Sequence, residues 1–222
     1  MKKMKKIISM LLTLCLIMGM STTAFASDYS NSVQVVTNND NICVVKEITA
    51  DGITIATNNK DTGILTIDKY DSTEAVLLST ETLDLNAIAA ETEISNDTAT
   101  PQAASKHVYQ HTFSNREYDC YIYSTYTSWT IRSGDNTKTR TENSSNASKL
   151  ESFRGYVEDV NSAEFTLIGA VGAGAAATAI TAFLSGGLAA GIAAAGGSAA
   201  VVAAFSSLNS AINSADYYYA RI

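Results

Sequence analysis

Phe165 to Phe205 reads FTLIGAVGAGAAATAITAFLSGGLAAGIAAAGGSAAVVAAF, forty-one residues without a charge, inside an uncharged run that continues to Ala215. Sixteen of the forty-one are Ala, eight are Gly, five are Ser or Thr and twelve are larger apolar residues, so small side chains outnumber large ones two to one. A surface helix of a soluble domain shows water a polar face about every second turn, and this stretch has none. It divides at Ser185-Gly186-Gly187 into Phe165 to Leu184 and Leu188 to Phe205, 20 and 18 residues long. At about 1.5 Å per residue, each half approaches the roughly 30 Å thickness of a hydrocarbon core. The spacing predicts a Gly/Ala-rich hydrophobic helical hairpin. Gly169, Gly172 and Ala176 share one face of its first half, and Gly187, Gly191, Ala194 and Ser198 one face of its second. Small residues in such rows let helix backbones approach closely in lipid, within one hairpin or by self-association. The competing reading is a helical pair buried inside a soluble protein.

Both flanks are polar. Ser148 and Glu151 fit an S-x-x-E capping box, and Leu150, Phe153, Val157 and Val160 then make an apolar stripe that leads directly into Phe165. Beyond the run stand Tyr217, Tyr218, Tyr219 and Arg221, residue types that suit a water–lipid interface, as does Trp129, the single tryptophan.

Further upstream the texture changes twice. From Cys120 to Ile131 the residues alternate as in a Tyr-rich strand, which would place Tyr121, Tyr123 and Trp129 on one face and Cys120, Ile122 and Tyr126 on the other. Ser133-Gly134-Asp135-Asn136 turns the chain into a second, polar strand. Residues 86–105, rich in Ala, Thr and acids around Pro101, read as a linker, with a short helix over Leu83 to Glu93 as the alternative. Residues 33–80 read as an antiparallel β meander, with Asp51-Gly52 as a tight hairpin turn. The first 26 residues carry Lys2, Lys3, Lys5 and Lys6, an apolar run from Ile7, and Ala24-Phe25-Ala26, the pattern of a secretory signal cleaved after Ala26. The expected organisation is a signal (1–26), an acidic β-rich segment that a pro-region would resemble (27–85), a linker (86–105), Tyr-rich strands with an amphipathic helix (106–164), and the hydrophobic hairpin with its aromatic tail (165–222). The class is α+β.

Charge narrows the partners. Residues 27–105 hold three basic and thirteen acidic residues, a net −10, and the chain lacks the clustered Lys and Arg that nucleic acid requires. Such an acidic segment can keep the uncharged run soluble only by docking on it, because repulsion from an anionic membrane reaches about 8 Å at physiological salt.

Gly172-Ala173-Gly174-Ala175-Ala176-Ala177 imitates a G-x-G-x-x-A dinucleotide loop, but no acid lies between Glu164 and Asp216 to meet a ribose. His107 and His111 lack the Glu of a zinc protease motif and any third ligand, so no catalytic, metal or cofactor site is expected. Cys43 and Cys120 are the two cysteines beyond the signal, and in a secreted chain a disulfide between them and two free thiols are both open.

The signal peptide, the acidic segment, Tyr121-Ile122-Tyr123-Ser124-Thr125-Tyr126 and the Gly/Ala tail together resemble the large secreted bacteriocins of the geobacillin type. That resemblance implies a Gram-positive producer and a non-enzymatic antibacterial protein acting on the envelope of related bacteria. It identifies neither a receptor nor an immunity partner. The expected function is permeabilisation of a target-cell membrane by the inserted hairpin. The alternative is an envelope protein whose hairpin stays in the producer's own membrane.

Overall fold

The structure is a computed structural model and describes residues 32–91 and 106–222. The signal segment, with Ala24 and Ala26, and residues 92–105, with Pro101, lie outside the described residues.

Residues 32–84 form five antiparallel strands in chain order: β1 (Ser32–Asn38), β2 (Ile42–Thr49), β3 (Gly52–Asn59), β4 (Ile64–Tyr70) and β5 (Leu77–Asp84). Alternation places Cys43 and Val45 of β2 and Leu65 and Ile67 of β4 on the buried face. The tight turn between β2 and β3 falls one residue earlier than expected. Thr49 pairs with Gly52, so Ala50 and Asp51 make the turn and Gly52 begins the strand. Glycine is required there for another reason, since a Cβ would collide with the Tyr70 carbonyl oxygen on β4. Part of the expected linker is helical: α1 (Leu85–Glu91) closes the sheet by burying Leu85.

The second sheet is a four-stranded meander of β6 (Lys106–Gln110), β7 (Arg116–Ile122), β8 (Thr127–Ser133) and β9 (Asn136–Thr141). Here the expected continuous Tyr-rich strand is corrected. The chain reverses between Tyr123 and Tyr126, where the Tyr123 amide bonds the Tyr126 carbonyl at 2.9 Å and the two rings stack at 4.5 Å. Reversal pairs Cys120 with Trp129 and puts both on the inner face, while Tyr121 faces outward.

Four helices complete the chain: α2 (Ala147–Val171), α3 (Ala173–Gly186), α4 (Leu188–Ala194) and α5 (Ala199–Arg221). The capping box is not made, because the N-cap is Asn146 and its side chain bonds no helix amide. The apolar stripe is as read: Leu150, Phe153, Val157 and Val160 are fully buried. Helices α2 and α5 run antiparallel, and each bridges two cores. The first half of α2 and the last half of α5 pack on the second sheet around Trp129, Phe153 and Tyr118. Helix α4 lies directly on β2, β3 and β4 of the first sheet, and the second half of α2, α3 and the start of α5 pack behind it in one core with Val45, Leu65, Ile67, Ile180 and Phe205. The protein is therefore α+β, with two antiparallel sheets and a helical C-terminal region.

Candidate membrane-active region

The uncharged run is broken three times rather than once. Gly172, Gly187 and the pair Gly196–Gly197 all take positive φ, a conformation that costs glycine little and other residues more. The break at Gly187 agrees with the division expected at Ser185-Gly186-Gly187. Those at Gly172 and Gly196–Gly197 cut each expected half in two. No helix among the described residues is long and apolar enough to cross a membrane.

The small residues expected to form two packing rows have separate jobs. Gly169 is exposed, and a Cβ there would meet nothing within 4 Å. Gly172 and Gly187 are helix breaks, and Ala176 is buried in the first core. Gly191 is a true packing position: a Cβ would come within 2.6 Å of Phe183 Cβ and 2.7 Å of Phe205 Cε1. Ala194 is half-buried near the end of α4. Ser198 is the N-cap of α5, its hydroxyl accepting from the Val201 amide at 3.3 Å.

The first sheet covers α4 and the glycine turns at its two ends with short-range contacts. A Cβ at Gly186 would collide with Ile67 Cδ1, and one at Gly197 would stand 2.7 Å from Cys43 Sγ. Asn58 Nδ2 donates to the Ala193 carbonyl at 3.0 Å, Asn38 Nδ2 to the Gly196 carbonyl at 2.7 Å, and the Ala189 amide to Glu47 Oε2 at 3.3 Å. Burial pushes the Glu47 carboxyl above its ordinary range, and the Ala189 amide partly offsets it.

The other end of the helix pair is fastened by charged groups. Glu164, the last acid before the run, is 1% exposed and accepts from the Phe113 and Ser114 amides, both at 2.9 Å. Burial raises its carboxyl despite those bonds and the nearby Arg116. Arg116 grips Asp216 of α5 with two bonds, at 3.1 and 2.7 Å, and Ser133 also donates to Asp216. Sequence reading missed Glu47, Asn38, Asn58 and the Arg116–Asp216 pair, whose partners lie a hundred or more residues away and leave no local pattern.

Of the expected interface anchors, Trp129 is corrected, Tyr218 and Tyr219 are engaged within the fold, and Tyr217 and Arg221 are exposed. Trp129 is 1% exposed, with its indole N–H bonded to Glu142 at 2.8 Å, so it is core. Tyr218 stacks on Tyr156, and Tyr219 packs on Phe153 and under Lys138. Tyr217 is half exposed, with the Arg221 guanidinium 3.2 Å from its ring centroid. The disulfide is also excluded in this structure. Cys43 and Cys120 are free, buried in different cores, and burial raises both thiols, Cys120 to about 11.

His107 and His111 flank Asp119 on the outer face of the second sheet, and His107 stacks on Tyr121 at 4.3 Å. No group of three or more His, Cys, Asp or Glu among the described residues is arranged to hold a metal. A shallow groove of about 630 Å³ runs between α2 and α5, lined chiefly by hydroxyls such as Ser162, Thr166, Ser207 and Ser210. No family model, no curated protein and no solved structure matches the chain.

Proposed function

We propose that this is a secreted antibacterial protein that stores a membrane-active helical hairpin under an acidic sheet and releases it at a target membrane. The observation that carries this reading is the burial of α4 directly beneath β1–β5, the most acidic segment, with α3, equally small and uncharged, packed behind it in the same core. In the packed form the run is divided into pieces too short to span. Insertion therefore requires it to leave the sheet and to close the breaks at Gly172 and Gly196–Gly197, leaving one turn near Gly187. Glycine permits either conformation at each break, and small side chains reduce what burial under the sheet contributes, at about 25 cal/mol per Å² of apolar surface. In lipid the same small residues then serve helix packing.

Locking the cover tests this directly. The Cβ position of Gly186 stands 3.4 Å from Ile67 Cγ1, so the double variant Ile67→Cys/Gly186→Cys brings two thiols within disulfide reach. On dye-loaded liposomes the oxidised variant should be silent, and reductant should restore leakage. Equal leakage from oxidised and reduced forms would show that the run need not leave the sheet. Absence of leakage by the unmodified protein at every lipid composition and pH would remove the membrane reading. Recovery of the chain only in washed producer membranes, never in culture supernatant, would replace it with an envelope protein anchored in its own cell.

A further inference from the structure

Helix α4 has seven residues, too few to hold itself together in water. It ends in a Schellman turn, with Gly197 N donating to the Ile192 carbonyl at 2.9 Å and Gly196 N to the Ala193 carbonyl at 3.1 Å. Both further donors to this turn come from the first sheet. Asn58 of β3 reaches the Ala193 carbonyl and Asn38 of β1 reaches the Gly196 carbonyl. Lys60 sets the direction of the second contact: its ammonium donates to Asn38 Oδ1 at 2.8 Å, which leaves the amide nitrogen of Asn38 for Gly196.

These contacts discriminate between two shapes of the same residues. In a continuous helix from Leu188 to Phe205, the Ala193 and Gly196 carbonyls would accept from the amides four residues on, Gly197 and Ala200, and would point along the helix. In the broken form both carbonyls turn toward the sheet. Asn58 is also 95% buried, with its Oδ1 lacking a hydrogen-bond partner, so its amide is held in an apolar interface at a cost. A leucine of similar volume would fill the space without that cost. The contact to Ala193 is what leucine would not supply.

We propose that Asn58 and Asn38, the latter oriented by Lys60, form a latch that recognises the break at Gly196–Gly197 and keeps residues 188–205 in the stored shape. This rests on the membrane reading above for its consequence but not for its existence.

The test uses the full secreted chain carrying Asn58→Leu, or, at an exposed position that leaves the core intact, Lys60→Met. Hydrogen exchange without lipid reads the latch itself. Amides of residues 194–197 should exchange about tenfold faster in Asn58→Leu, the shift expected from losing roughly one net hydrogen bond, with a smaller rise in Lys60→Met. Amides of β7 and β8 should stay as slow as in the unmodified protein. Unchanged exchange at 194–197 in both variants overturns the latch, whatever happens on liposomes. Faster exchange with a shortened lag before leakage supports latch and membrane reading together. Faster exchange in a protein that never causes leakage keeps the latch and removes the membrane reading.

Discussion

The two ends of the helix pair are built on the same plan, an antiparallel meander laid across helices, yet they are packed with different materials. Against the second sheet lie Trp129, Phe153, Tyr118 and Leu150, backed by Arg116–Asp216 and by Glu164 on its two amides. Directly against the first sheet lies α4, mostly Ala and Gly with Leu188 and Ile192, backed by Leu167, Ile180, Phe205 and Leu208 and bonded to the sheet through Asn38, Asn58 and Glu47. Large side chains bury more apolar area per residue and interlock, whereas alanines leave a smooth surface with little area. Under the proposed function the second sheet serves as a fixed platform and the first as a cover that separates.

The platform can be broken most severely at its centre. Trp129→Ala removes the largest fully buried side chain and should cost about 3–5 kcal/mol in urea unfolding. Trp129 is also the single tryptophan, so its emission reports the second core alone. In the unmodified protein the far-UV signal should begin to change at lower urea than Trp129 emission does. Coincident transitions would mean that both ends open as one unit and would remove the distinction between platform and cover.

A smaller effect is expected inside the cover. Gly191→Leu places a large side chain where even a Cβ crowds Phe183 and Phe205, and overpacking of this kind costs about 1–3 kcal/mol. In solution the first core should loosen, seen as faster exchange across α3 and α4. On membranes the outcome separates two mechanisms. A run that merely partitions into lipid should gain from the added leucine, while a hairpin whose helices meet at this face should lose leakage despite easier release.

Legibility from sequence follows the same division. Local patterns were readable: apolar runs between turn signals marked the five strands of the first sheet, the last of them displaced toward Asp84, the Leu150-Phe153-Val157-Val160 stripe marked α2, and the small-residue texture set the run apart. Docking of the acidic segment on that run is what masking requires, since charge repulsion alone reaches too short a distance, and the first sheet lies against α4 of that run. What failed needed distant partners or an unmarked turn. The reversal at Tyr123 to Tyr126 has Ser124 and Thr125 at its tip, with no Gly, Pro or Asn to announce it. Missing it put Trp129 on the wrong face and made a core residue look like an interface anchor. Periodicity likewise could not reveal that Gly172 and Gly196–Gly197 would adopt positive φ, since glycine is equally at home inside an Ala-rich helix in lipid. Cys43 and Cys120 were left open, and only the two separate cores decide between the alternatives.

The pH dependence is set by two buried acids. Burial raises both Glu47 and Glu164, so the folded protein holds their protons more tightly than the unfolded chain. Each therefore adds stability on acidification and withdraws it as pH climbs from the ordinary carboxylate range through the raised value. Glu164→Gln removes one of these titrations. The difference in melting temperature, unmodified minus Glu164→Gln, should fall as pH rises from about 4.5 upward. A difference that grows with pH would mean that the Phe113 and Ser114 amides outweigh burial at this carboxyl. Of the two, Glu47 faces α4, so under the proposed function acidification acting through it tightens the first sheet on α4, whereas Glu164 acts at the second sheet.

The smallest effect is expected at Gly169, where the packed protein and the proposed inserted hairpin make opposite demands. In the packed protein Gly169 lies in α2 with open space around its Cβ position, so Gly169→Ala should raise stability by about 0.5–1 kcal/mol through helix propensity. The same substitution adds a methyl group to the face expected to meet the second helix in lipid. If that face packs there, Gly169→Ala should melt slightly higher and permeabilise liposomes more slowly, and Gly169→Leu should keep the solution fold while losing most leakage. Melting and leakage that move together would assign Gly169 to the stored form alone. A Gly169→Leu protein that leaks at the unmodified rate would remove this face from the inserted hairpin and leave Gly191 as the small residue on which helix contact in lipid depends.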